Sequence, residues 1–167
     1  NLRIIYSNTV SQATLTASST AGALAAANML NDRKASVHRS VGTTVAYTLK
    51  WATPQHVGGV ALPATNLSPK ALIRVRLFAD EAMTDLVADT GVRKACPTTS
   101  LGLYNWDAPI DARAFAFGGA SKVAAWFSSQ PQTVRACSIV IEDLDNSAGY
   151  IDCSRLVVGP FWEAPKN

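Results

Sequence analysis

Residues Ala71 to Ala79 read ALIRVRLFA. Ile73, Val75 and Leu77 alternate with Arg74, Arg76 and Phe78, and side chains of a strand point alternately to its two faces, so the first set is expected inward and the second outward. The same alternation precedes it in Thr44 to Trp51. There Val45, Tyr47 and Leu49 share one side, and Thr44, Ala46, Thr48 and Lys50 the other. After Pro54 an apolar run resumes from Val57 to Leu62 and is closed by Pro63, because proline cannot donate to a sheet ladder. The two segments read as a hairpin-like pair. Further β-branched segments lie at Leu2 to Tyr6, Ala13 to Ala17, Lys122 to Phe127, Thr133 to Glu142 and Tyr150 to Val158. Only Ala21 to Leu30, AGALAAANML, is strongly helix-forming, and Asn31-Asp32 limits it to about two turns, a short surface helix or helical loop. About eight to ten strands separated by turn residues predict an all-β sandwich or barrel.

Composition supports that class. The 167 residues suit one domain spanning 1–167, with 48% hydrophobic and only 16% charged residues, below the roughly 25% usual for soluble domains. Disorder and coiled coil are poor fits. The net charge of +3, from 15 basic and 12 acidic residues, is spread without a run of like charge, which argues against a nucleic-acid partner. No 18-residue apolar stretch exists, so membrane insertion is not expected, and Asn1 to Ser7 lacks the apolar core of a signal peptide. The chain is thus expected to be soluble and unexported. Three cysteines, Cys96, Cys137 and Cys153, form no C-x-x-C pair and are expected as reduced thiols in a β core.

No catalytic signature is present. His38 and His56 lie in no nucleophile or metalloprotease motif, and no phosphate loop or dinucleotide fingerprint occurs, so the expectation is a protein that is not an enzyme and needs no cofactor or metal. Cys137 and Cys153 could meet across a ladder, but no zinc ligands accompany them. The acidic segment Glu142-Asp143-Leu144-Asp145-Asn146-Ser147 offers hard oxygens suited to calcium without calcium-loop spacing, and Asp and Asn favour turns by bonding their own backbone. The stretch from Cys96 to Ala120 shows no sustained period and is expected to be a long ordered loop. Within it Tyr104, Trp106, Asp107, Arg113, Phe115 and Phe117 are the candidate contacts, for a neighbouring subunit or a stacked sugar ring, with docking of the aromatics on the sandwich itself as the competing reading.

The order of these motifs resembles a discoidin-type, galactose-binding-like jelly roll. The similarity runs through Ala17-Ser18-Ser19, the small-residue segment Ala21 to Asp32, His38-Arg39-Ser40, the x-P-x-x-V-x-x-V-x-L run from Thr53 to Leu62, Ile73 to Leu77, Val134-Arg135, and Gly149 to Val158. Jelly rolls of that class often carry a structural calcium. The chain also resembles small virion proteins of long-tailed bacteriophages, in Ala26 to Lys34, Ala61 to Ser68, Arg74 to Arg76, Asp89 to Gly91, Ala148 to Ile151 and Gly159 to Trp162, with His38 where that family's W-R-S would place Trp. That second resemblance implies a tail or tail-tip subunit, made in the host bacterial cytoplasm and carried in the virion, whose partners are other tail proteins and copies of itself. The alternative implied by the fold is a carbohydrate-binding module that recognises a host-surface glycan.

Overall fold

The computed structural model describes residues 2–33, 35–96 and 124–165. Eleven strands are present among them: β1 (Arg3–Ile5), β2 (Ala13–Ala17), β3 (His38–Arg39), β4 (Thr44–Leu62), β5 (Leu72–Phe78), β6 (Leu86–Asp89), β7 (Arg93–Lys94), β8 (Ala124–Glu142), β9 (Asp152–Cys153), β10 (Val157–Gly159) and β11 (Phe161–Glu163). The helix expected at Ala21 to Leu30 is reduced to a 3-10 turn, Ala26–Leu30. It packs Met29 and Ala26 against the core while Ala27 stays exposed.

The large sheet runs β10-β4-β8-β5-β6, with β2 added on β4 and β7 on β5, and every pairing is antiparallel. Its register sets up three cross-strand tiers, Leu49-Cys137-Leu77, Tyr47-Ile139-Val75 and Val45-Ile141-Ile73, all buried. Directly opposed residues on one face are the stabilising unit of a sheet, so these nine side chains form the floor of the core. Two-stranded pairs, β1-β11 and β3-β9, make up part of the opposing layer. That layer contributes Met29, Leu67, Ile151, Cys153 and Leu156 to the same core. The result is the all-β sandwich expected from the alternation.

Pro54 does not end a strand. β4 is continuous from Thr44 to Leu62 and pairs along its length with β8, so the hairpin-like pair is one long strand. Four residues of β4, 51–54, lie opposite Arg135 alone, and four of β8, 128–131, lie opposite Gly58 alone. Pro54 and Pro131 each sit in one of these irregularities, where no ladder donor is required, so the chain bends and pairing resumes. The segments Lys122 to Phe127 and Thr133 to Glu142 are joined in the same way, as far as the described residues run.

One further departure, at Phe78, and the placing of Arg3 have local causes. Phe78 is buried rather than outward, with the Arg76 guanidinium 5.9 Å from its ring centroid. On β1 it is Arg3 that turns inward, paired with Glu163 and lying over the rings of Phe127 and Phe161, so that Leu2, Ile4 and Tyr6 are left exposed beside Trp162. Nearby, β10 passes so close to the segment after β1 that a Cβ on Gly159 would lie 1.9 Å from the Ser7 carbonyl oxygen.

Candidate functional site

The contacts expected from the long loop, Tyr104, Trp106, Asp107, Arg113, Phe115 and Phe117, lie outside the described residues. The other sequence candidates are placed. Asp143 is buried, accepting hydrogen bonds from the Ser68 amide at 2.7 Å and the Ser68 hydroxyl. Asp145 pairs with Lys70, and the Asn146 side-chain oxygen accepts from the Ala148 amide. Of the three, only Asn146 bonds its own local backbone; Asp143 and Asp145 take partners from the distant segment at Ser68 and Lys70. Among the described residues no three His, Cys, Asp or Glu side chains group as metal ligands. Cys137 and Cys153 lie in different sheets as free, fully buried thiols, and burial pushes both up to about 12. The His56 ring, exposed to solvent, lies 3.4 Å from the Thr133 hydroxyl.

His38 has a structural task instead. Its Nε2 lies 2.9 Å from the Ser19 carbonyl oxygen, which can only accept, so Nε2 carries the proton and Nδ1 accepts from the Tyr47 hydroxyl at 2.8 Å. Tyr47 also hydrogen-bonds the Cys153 thiol. Desolvation is the main influence on His38 and holds its pKa below 6.5, against the opposing effects of Ser19 and Asp152. This neutral relay fixes β3 and β9 to the tier of Tyr47. On the outer side of the same pair, Arg39 grips Asp152 with two hydrogen bonds of 2.8 Å and covers the Tyr150 ring with its guanidinium 3.9 Å from the centroid. The Asp152 amide donates to Asn66 Oδ1, tying in the segment after β4.

β9 therefore delivers the next two residues, Ser154 and Arg155, to a defined place. They meet two other loops there. Asp32 and Arg33 follow the Ala26–Leu30 turn, and Pro63 and Ala64 follow β4. Together these six residues line a pocket of about 320 Å³. The first loop is shaped by Asn31, whose Oδ1 accepts from the Arg33 amide at 2.9 Å while its Nδ2 donates to the Ser36 hydroxyl. Arg155 fastens that loop, donating to the Leu30 carbonyl and pairing with Asp32 at 3.0 Å. The Ser154 amide and hydroxyl both donate to the Ala64 carbonyl. The Arg155 side chain is 22% exposed and that of Asp32 is 91% exposed, so the carboxylate keeps oxygen capacity open to solvent. One carboxylate, two guanidiniums and a hydroxyl thus converge beside the apolar Pro63 and Ala64. Such a set can exchange several directional hydrogen bonds with a small polyhydroxylated ligand. Sequence reading missed the pocket because Asp32 and Arg155 are remote along the chain, and the motifs that contain them carry no spacing rule that brings them together.

No family model matches the chain, and no curated protein matches it. Solved structures do match in fold. A Ruminococcus gnavus GH29 fucosidase in complex with fucose aligns at TM-score 0.63 and 11% identity over 95% of this chain, which spans only 28% of the enzyme. The CBM32 of AlyQ in complex with 4,5-unsaturated mannuronic acid aligns at TM-score 0.56 and 14% identity, covering 96% of this chain and 99% of the module. A chitosan-binding module from a Paenibacillus sp. IK-5 chitosanase/glucanase aligns at TM-score 0.60 and 13% identity, covering 92% and 98%. The fold is the galactose-binding-like jelly-roll sandwich. At these identities the likeness establishes fold, and function has to come from the site.

Proposed function

We propose that the chain is a carbohydrate-binding module, without catalytic activity of its own, whose loop pocket hydrogen-bonds the hydroxyls of a glycan. The observation that carries this reading is the convergence of Asp32, Arg33, Ser154 and Arg155 on one pocket whose volume, about 320 Å³, falls in the roughly 300–1,000 Å³ range of small-molecule sites. Asp32 accepts from vicinal hydroxyls, Arg33 and Arg155 donate, and Pro63 and Ala64 meet the C–H face of the ring. The end-to-end match with two separate binding modules supports the same class, since each is matched over nearly its whole length.

The bacteriophage-tail reading receives no support from these likenesses, and its contact segment lies outside the described residues. The glycan alternative is favoured over it by the pocket. A glycan array followed by calorimetry on the full chain tests this choice. Saturable binding to a defined sugar, weakened at least tenfold in Asp32→Ala, is expected. Binding unchanged in Asp32→Ala and Arg33→Ala would exclude the pocket, and failure on the array together with assembly onto tail proteins would restore the structural reading.

A further inference from the structure

Six arginines among the described residues are partly buried: Arg3, Arg39, Arg74, Arg76, Arg135 and Arg155. Five pair with a carboxylate, on Glu163, Asp152, Asp89, Glu81 and Asp32 respectively. Arg76 does not. Its Nε is shielded from solvent and has no hydrogen-bond partner. The adjacent acid, Asp89, is its cross-strand partner, but that carboxylate takes the Arg74 guanidinium and the Gly91 amide and is held at about 2, chiefly by Arg74. A guanidinium is always charged and carries five donors in a planar fork; with Nε out of reach of solvent, the terminal Nη donors of Arg76, which bond no described residue, are the ones that can meet an acceptor from outside.

Arg76 lines a groove of about 310 Å³ on the face of the large sheet opposite the three tiers. Arg74 and Val140 share that floor, Leu72 and Glu142 close one end, and Val92 forms a wall beyond the Gly91 turn, where φ is +63°. Asp89 is hydrogen-bonded to Arg74 and feels Arg76 only through its charge, so among the described residues the groove presents the Arg76 guanidinium with no carboxylate bonded to it, apolar surface from Val140, Leu72, Ile73 and Val92, and an exposed carboxylate at Glu142. The aliphatic surface suits the C–H face of a sugar ring, Glu142 suits its hydroxyls, and the Arg76 guanidinium suits a carboxylate.

We propose that this groove is a second ligand site, separate from the loop pocket, which binds a uronic acid residue of an acidic glycan with its carboxylate on Arg76. The choice of a sugar as occupant rests on the reading of the chain as a carbohydrate-binding module. The demand for a carboxylate rests on Arg76 alone.

The test titrates the full chain with galacturonate and with glucuronate, each against its methyl ester, which keeps the ring and removes the charge. At least one acid is expected to bind tenfold or more tightly than its ester, and to shift the side-chain Nε–H signal of Arg76 in the nitrogen–proton spectrum. Arg76→Gln should abolish the difference between acid and ester. Because that signal is read in the unmodified protein, the proposal stays testable if Arg76→Gln fails to fold. Equal binding of acid and ester, an unmoved Arg76 signal, or an acid preference that survives in Arg76→Gln would overturn it. Acetate shifting the signal at the same concentration as the sugar acid would mark a general carboxylate site and overturn the assignment to a sugar. Loss of neutral-glycan binding at the loop pocket is read separately through Asp32→Ala, so the two readings fail independently.

Discussion

The tier of Tyr47, Ile139 and Val75 and the loop pocket at Arg155 lie on either side of β3-β9, and they are held by opposite means. In the tier every side chain is wholly out of water, and the one polar chain crossing it, from Ser19 through His38 and Tyr47 to Cys153, is uncharged and directional. In the pocket the ties are charged and wet: Arg155 with Asp32, and on the neighbouring strand Arg39 with Asp152. Buried contacts contribute their full transfer and packing energy, whereas exposed ion pairs contribute little and are screened by salt. The scaffold can thus be rigid while the pocket rim remains free to meet a ligand.

The sharpest way to break this contrast is to open the tiers. Leu49→Ala removes a fully buried side chain between β2 and β8 and should cost about 2–5 kcal/mol of unfolding free energy, measured by urea denaturation. Gly159→Ala should follow at about 1–3 kcal/mol, because its new Cβ meets the Ser7 backbone oxygen rather than a side chain that could swing away. A melting temperature unchanged in either variant would show that the two layers are not packed as described.

A change of pH probes the uncharged relay. The folded pKa of His38 lies below the unfolded value of 6.5, so the unfolded chain binds the additional proton. The stabilising contribution is complete above pH 6.5 and declines as pH falls from there through the folded pKa. Protonation puts a hydrogen on Nδ1 and removes the acceptor for Tyr47. Denaturation midpoints should therefore drop more between pH 7 and 5 in the native chain than in His38→Gln. Parallel profiles for the two proteins would remove His38 as the cause.

These experiments also separate what the sequence makes legible from what it hides. Period-two alternation at Val45-Tyr47-Leu49 and Ile73-Val75-Leu77 places the core face correctly, because burial on one side of a pleated strand forces that pattern. Pro54 misleads, since a proline marks a missing donor and cannot itself say whether the strand ends or bulges. The placing of Arg3 is hidden in the sequence, because the distant Phe127, Phe161 and Glu163 are what it packs against. His38 reads as an ordinary histidine until Tyr47 and Ser19 are brought to its two nitrogens. The pocket is hidden for the same reason, being assembled from three loops whose order in the chain carries no spacing rule.

Within the pocket, Arg155 and Asp32 make the finest comparison. Arg155→Ala loses both a hydrogen bond to Leu30 and an ion pair, and should cost about 1 kcal/mol in stability while loosening the loop from Leu30 to Arg33. Asp32→Ala loses only the ion pair, and its side chain is 91% exposed, so its unfolding midpoint should match that of the unmodified chain at physiological salt. Its effect on glycan affinity should nevertheless be the larger of the two per unit of stability lost, because the carboxylate is the pocket's acceptor while Arg33 still supplies donors when Arg155 is gone. Calorimetric titration and chemical denaturation on the same two variants give both numbers. If Asp32→Ala unfolds readily, or binds sugar as well as the unmodified chain, its carboxylate serves the loop and not the ligand.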